Sequence, residues 1–255
     1  MFDTHIHTKF STDSMMTIED AIQKADSLNI GLIITDHLDL NYPDENKFKI
    51  NLNDYFNTYS SYKNEKLLLG IELGMDIAFK DENKSVNDNY PFDQIIGSQH
   101  FVDGIDIYDQ RLYKNREKQD VFTSYFENMI NSLKTHKYID TLAHIDYISR
   151  YCPYDNNELN YKDFSDYIDE VLKLCLDEDI TLELNTKRVV NSDSLKCLIP
   201  IYKRYKDLGG KYLTLGSDAH NPDAIANNFK SALDFCDFLD LQSVCYKERK
   251  RVYNR

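Results

Sequence analysis

Six of the chain's seven histidines stand where short apolar runs give way to polar residues. His5 and His7 follow the run Met1 to Thr4, and His37 follows Ile30 to Thr35 with Asp36 beside it. Glu72 closes Leu67 to Ile71, His100 follows Gln94 to Gly97, and His144 follows Tyr138 to Ala143. Ile180 to Leu184 leads into Asn185 and Arg188, and Tyr212 to Leu215 leads into Asp218 and His220. Imidazoles and carboxylates together are the usual ligands of Zn, Fe and Mn. His5 and His7 lie two residues apart, as do Asp218 and His220. On an extended chain that spacing puts both side chains on one face, so one metal can take two ligands from one strand. His136, in Lys134-Thr135-His136-Lys137, falls outside the pattern and reads as a solvated residue.

The runs that carry these residues are short and nearly continuously apolar. Strands covered on both faces read that way, as in a parallel sheet under helices. Helical stripes lie between them. Ile18, Ala21, Ile22, Ala25 and Leu28 repeat at three and four, with Thr17 as N-cap. Tyr55, Phe56, Tyr59 and Tyr62 form a second stripe, Phe122 to Leu133 a third, and Phe164 to Cys175 a fourth. Pro200 is placed to open a helix that Gly209 ends, and Ile225 to Cys236 continues the pattern. Seven strand–helix alternations predict an α/β barrel or a doubly wound sheet. In a parallel barrel every strand C-terminus faces one end, where active sites are built. Residues remote in sequence would then converge on one mouth. Two connections, Asp76 to Asp93 and Val102 to Gln119, read as long loops.

The chain has 255 residues, 42 % hydrophobic and 29 % charged, which is the composition of a globular protein with a sizeable core. A scarcity of Gly and Pro leaves no linker, so one domain over residues 1–255 is expected. The net charge of −13 argues against nucleic acid or an anionic membrane as partner, because phosphate backbones need clustered cations. It leaves room for a small phosphorylated substrate. The five cysteines include no CxxC pair and read as free thiols in a reducing compartment. With no signal-like N-terminus and no apolar run of ~18 residues, a cytoplasmic protein is expected. No GxSxG elbow, GxGxxG or P-loop motif occurs. The basic run Lys247 to Arg251 reads as a solvated face.

Taken in order, the polar segments resemble a known family. They are His5-Ile-His7, Ser11-Thr-Asp13-Ser14, Thr35-Asp36-His37, Gly70-Ile-Glu72, Ile96-Gly-Ser-Gln-His100-Phe, Ala143-His144-Ile-Asp146 and Gly216-Ser-Asp218-Ala-His220. The pattern resembles the PHP (polymerase and histidinol phosphatase) superfamily, and within it the monofunctional L-histidinol-phosphate phosphatases. The resemblance implies a distorted (β/α)7 TIM-like barrel holding three divalent metal ions, whose identity (Zn, Fe or Mn) the sequence leaves open. Carried over by motif, one metal would take His5, His7, Glu72 and Asp218, a second Asp13, His37 and His220, and a third Glu72, His100 and His144. Asp13 occupies a position that is often His in the superfamily.

The implied activity is hydrolysis of L-histidinol phosphate, in histidine biosynthesis, by a hydroxide bridging metals. Clustered dications neutralise the phosphate dianion and lower the pKa of a bound water. Glu72 would bridge two metals, and Asp218, His220, Asp13 or a bound water would protonate the leaving group. The alternative is another small phosphate ester, nucleotides included. Arg150 and Arg188 lie just past strand ends and are expected to grip phosphate in bidentate fashion. The substrate's ammonium and imidazole call for further carboxylates, for which Asp39, Asp44, Glu45, Asp103, Asp106 and Asp146 are candidates. Oligomeric state is not legible.

Overall fold

The computed structural model describes residues 1–189 and 192–254. Its frame is a run of parallel strands in sequence order: β1 (Phe2–Ile6), β2 (Gly31–Ile34), β3 (Leu67–Gly74), β4 (Gln94–Ser98), β5 (Thr141–Leu142), β6 (Thr181–Asn185) and β7 (Tyr212–Gly216). Every residue of β2, β3, β4, β5 and β6 is buried, as expected of strands with one face on the barrel interior and the other under helices. Backbone bonds close the ring at its C-terminal end. Ile6 bridges Ala219 in parallel, His7 N donates to Ala219 O (2.8 Å), and Asp218 N donates to His5 O (2.7 Å). These closing bonds lie among the predicted ligands, so the barrel is pinned where its chemistry would be.

Around the ring lie α1 (Ile18–Leu28), α2 (Leu52–Tyr59), α3 (Lys80–Asn89), α4 (Lys118–Thr135), α5 (Ser165–Asp177), α6 (Ser192–Asp207) and α7 (Phe229–Leu239). The predicted cap on α1 is present. Asp20 N donates to Thr17 Oγ1, Thr17 N donates back to the Asp20 carboxylate, and Asn29 ends the helix in the left-handed region. The aromatic stripe of α4 buries Phe122, Tyr125, Phe126 and Met129 completely against the sheet.

Several expectations are corrected. Pro200 lies inside α6, not at its start. Leu198, Ile201, Tyr202 and Tyr205 are buried around it, and their packing carries the helix across the missing hydrogen bond. The supposed loop Asp76 to Asp93 contains α3, a polar helix with no apolar stripe to announce it. Its one buried residue, Asn83, donates to Gly74 O (3.1 Å) and meets His136 Nε2 at 3.1 Å. His136 is therefore buried, not solvated. Its Nδ1 donates to Ser132 O (2.9 Å) at the end of α4 while the flanking lysines face outward. The connection from Val102 to Gln119 contains half of a short hairpin, Phe101–Val102 against Ile105–Asp106, and a 3-10 turn.

The terminal basic run is also part of the fold. An eighth strand, β8 (Gln242–Lys247), runs parallel to β7, and β9 (Lys250–Tyr253) returns antiparallel to it. This hairpin crosses the end of the barrel that β1 and β7 leave open. Cys245 packs with Ile33, Leu68 and Phe2 from the strand bottoms, and Asn254 bonds both backbone groups of Phe2. Arg249 reaches Asp140 (Nε–Oδ2 2.6 Å), Asn87 and Tyr138 O. Burial pushes the Asp140 carboxyl up to about 6 although Arg249 pulls it down. Replacing Arg249 by Ala should cost about 2 kcal/mol in urea unfolding at pH 8, because Asp140 keeps its burial and loses its cation. The loss should shrink towards pH 5, since an acid raised in the folded state favours folding when protonated.

Candidate metal centre

Five of the six strand-end histidines meet around Glu72, and the sixth, His220, packs on the ring of His7. His5 Nε2 lies 3.3 Å and His7 Nε2 3.4 Å from Glu72 Oε2, and His37 Nδ1 lies 2.8 Å from the same oxygen. His100 Nε2 and His144 Nε2 are 3.2 and 3.1 Å from Oε1. Asp218 Oδ1 faces His7 Nε2 at 3.4 Å, and Asp13 Oδ2 faces His220 Nε2 at 3.1 Å and His37 Nε2 at 3.7 Å. The rings of His37 and His220 both pack on His7, each with its centroid 4.2 Å away, and lie 5.9 Å from one another. Glu72 does not end its strand as expected. β3 continues to Gly74, and Glu72 sits in register with His37 on one side and Ile96 on the other.

A second layer fixes which nitrogen faces inward. His5 Nδ1 donates to Glu183 Oε1 (2.6 Å), His100 Nδ1 to Asp39 Oδ1 (2.9 Å), and His220 Nδ1 to Asp218 O (2.9 Å). Ser11 Oγ gives its proton to Asp36 Oδ1 (2.7 Å), so it accepts from His7 Nδ1 (3.0 Å). In each case the outer nitrogen is the donor, and a neutral ring then turns the Nε2 lone pair to the cluster. His5 Nε2 and His7 Nε2 stand 3.1 Å apart with Glu72 Oε2 beside both. His37 Nδ1, Glu72 Oε2 and His100 Nε2 are buried and make no hydrogen bond despite these approaches. Lone pairs that converge without a proton between them are what a cation satisfies. Four triads have donor atoms within 4.8 Å of one another: His5/His7/Asp218, His7/His37/His220, His5/Glu72/His144 and His37/Asp39/His100. The donor set fits divalent metal ions.

Electrostatics point the same way. Burial pushes Glu72 up, but His5, His37 and His100 outweigh it and hold the carboxyl well below its ordinary value. Burial pushes His5 down, yet Glu183 and Glu72 raise it well above the usual imidazole range, and Asp39 and Glu72 do the same for His100. His7, buried between His37 and His220, is driven well below that range and stays neutral. Protons and divalent cations are alternatives at such nitrogens, and binding the metal expels the proton.

Backbone geometry aims the ligands. Asp218 adopts φ 53°, a left-handed turn directly after β7 that points its carboxylate into the barrel. Gly216 lets β7 approach closely. A Cβ there would lie 2.5 Å from His5 Cβ and 2.3 Å from Glu183 Oε1.

The two arginines part company. Arg150 reaches the cluster, with Nη1 donating to Asp218 Oδ2 (2.6 Å), while its buried Nε and Nη2 have no hydrogen-bond partner. Arg188 does not. Its guanidinium is engaged by Asp146 (Nε–Oδ2 2.6 Å) and Glu158. The neighbouring Lys187 lies against Asp218 Oδ1 instead, at 3.2 Å. Sequence reasoning missed Lys187, the Glu183 partner of His5 and the part Asp39 plays beside His100. Glu183 carried a readable signal as the lone acid inside the apolar run Thr181 to Leu184. Asp39 repeats, with His37, the two-residue spacing of His5 and His7.

Comparison with known proteins agrees with this geometry. The chain is 48 % identical, over 253 residues covering 99 % of both proteins, to a probable histidinol-phosphatase of Clostridium acetobutylicum. It is 28 % identical to the histidinol-phosphatase of Lactococcus lactis, over 86 % of this chain and 83 % of that one. A crystal structure of histidinol phosphate phosphatase from Lactococcus lactis, complexed with Zn, L-histidinol and phosphate, superposes with a TM-score of 0.91 at 25 % identity, covering 98 % of each chain. The PHP domain model matches residues 3–187, which span all but the last two of the converging ligands. The chain belongs to the PHP domain family.

Proposed function

We propose that this protein is a metal-dependent phosphomonoesterase that hydrolyses L-histidinol phosphate to L-histidinol and phosphate. The observation that carries the reading is the convergence of five histidines on one fully buried carboxylate, in a chain 48 % identical along its length to a probable histidinol-phosphatase. Three cations are proposed. His5, His7, Glu72 and Asp218 would hold one, Asp13, His37 and His220 a second, and Glu72, His100 and His144 a third. Bound there, divalent ions supply positive charge to the phosphate dianion and activate a water at neutral pH.

The chain's own residues do the rest. Arg150 keeps two unpartnered guanidinium nitrogens beside Asp218, aimed where a phosphoryl oxygen would sit, and Lys187 adds a second cation on the same side. Burial pushes the Asp218 carboxyl up, but Lys187 and Arg150 outweigh it and hold it ionised, so the proton for the leaving alkoxide would come from a water that Asp218 and His220 are placed to orient. Arg188 could join the phosphate only by leaving Asp146 and Glu158, so its proposed task is to brace those two carboxylates.

The direct test is steady-state phosphate release from histidinol phosphate, set beside nucleoside monophosphates and a phosphodiester, with metal content measured on the same sample. Clear preference for histidinol phosphate is expected, and preference for a nucleotide would overturn the reading. Glu72→Ala should abolish turnover and lower the bound metal, because two proposed sites share that ligand. Chelation should likewise remove activity, and Zn, Fe or Mn should restore it. Calorimetry should find protons released on metal binding, with affinity falling as pH falls. Arg150→Ala should raise KM at least tenfold. Arg188→Ala should instead cost about 3 kcal/mol of stability in urea unfolding, since two largely buried carboxylates lose their counter-charge.

A further inference from the structure

A chamber of about 360 Å³ leads out from the metal centre. His37, His100, Asp39 and Asp13 stand at its inner end. Its outer wall is Tyr42, Phe48, Phe101, Tyr108, Tyr147 and Tyr151, with one further carboxylate, Asp106. Asp106 belongs to the hairpin Phe101–Val102/Ile105–Asp106, where it pairs directly with Phe101, next to His100. The turn between them is Asp103-Gly104, with φ 53° and 76°. Two left-handed residues of the Asp-Gly type make a tight two-residue connection whose twist suits the strands, so Asp106 rides on a rigid mount.

Asp106 is half-buried yet has no cation. Among the described residues its side chain accepts one hydrogen bond, from Tyr108 N (2.8 Å), and forms no ion pair. The lysine and arginine on these walls are turned elsewhere, Lys47 to Asp44 (4.0 Å) and Arg111 to Asp109. Burial, with Asp39 and Asp109 nearby, holds its carboxyl above the ordinary value, although Tyr108 N and His100 pull it down. An added positive charge would relieve that cost. The surrounding rings offer π faces, which favour a cation or a flat heteroaromatic ring. The chamber is thus bipolar: cations held at its floor would bind an anion, and an acid stands in the aromatic collar above.

We infer that Asp106 is the specificity-determining residue of this site, reading the positive charge of an amine- or imidazole-bearing phosphate monoester while the phosphate sits at the metal centre. This rests on the proposed phosphomonoesterase function and adds which group of this chain selects the leaving alcohol. Asp106 touches no reacting atom in this role, so its removal should change selection and leave the chemistry intact.

The test compares wild type and Asp106→Asn on two substrates, histidinol phosphate and p-nitrophenyl phosphate, which carries no cation. Asn keeps the acceptor for Tyr108 N. KM for histidinol phosphate should rise ten- to a hundredfold with kcat within about threefold, and KM and kcat for p-nitrophenyl phosphate should stay within twofold. The inhibition constant of L-histidinol should rise by the same factor as KM, and Asp106→Glu should recover part of the loss. Metal content and Tm are measured on each variant. Equal losses on both substrates, or lost metal, would overturn the inference by showing that Asp106 serves the metal centre or the fold. An unchanged KM for histidinol phosphate would overturn it too. If wild type fails to hydrolyse histidinol phosphate at all, the proposed function is what falls.

Discussion

Glu72 is a carboxylate with no solvent exposure, and nearly every choice around it follows from that. Moving such a group out of water costs several kcal/mol unless opposite charge and hydrogen bonds replace its hydration. Its only hydrogen-bond donors among the described residues are Ser98 Oγ (2.6 Å to Oε1) and the ring of His144. The remaining neighbours are imidazole nitrogens, which carry charge only if protonated. A carboxylate set among histidines is a poor device for stability, since an apolar residue in its place would pack at no electrostatic cost. It is a good device for gathering cations. The barrel supplies the geometry, because parallel strands deliver their C-termini to one end and six of the seven bring one or two of the converging groups there.

The second layer explains how so many titratable groups keep one arrangement. Glu183, Asp39, Ser11 and the Asp218 carbonyl each take the outer proton of a histidine. Asp36 in turn anchors Ser11 and Thr8 by four bonds, from Ser11 N, Ser11 Oγ, Thr8 N and Thr8 Oγ1. Ring orientation is thereby fixed by groups whose own partners are fixed. The closing contacts of the barrel, Asp218 N to His5 O and His7 N to Ala219 O, tie the same segments through their backbones. Opening the barrel at its closed end would dismantle the cluster, so fold and site share one set of bonds.

The ligands were legible because they interrupt runs that are otherwise apolar. A histidine after Ile33-Ile34-Thr35 or after Leu142-Ala143 stands out, and buried parallel strands make such runs nearly pure. Glu183 interrupts such a run too, but from within its strand, between Leu182 and Leu184, and nothing in one sequence says that the acid turns inward to a histidine. His136 failed for a related reason. Its neighbours Lys134 and Lys137 are polar, yet the ring turns in to meet Asn83, a contact that depends on a helix with no apolar stripe. The β8–β9 hairpin was missed because its second strand, Lys250–Tyr253, is mostly exposed and half basic, and Arg249 acts through Asp140, more than a hundred residues away in sequence. Such contacts are set by topology and leave no local pattern.

The charge balance of the whole chain takes on a local meaning at the mouth. A net charge of −13 should repel a phosphate ester at long range. The barrel's interior offsets that sign only at short range, through Arg150 and Lys187 beside Asp218 and through the cations that the proposed sites would hold. A plain anion gains little before it arrives at the floor. On the proposed reading, a molecule that carries a cation at its other end would meet Asp106 in the collar first and then set its phosphate on cations held below. Acidic surface and cationic floor would then be complementary features of one site, selecting for a ligand with separated charges of opposite sign.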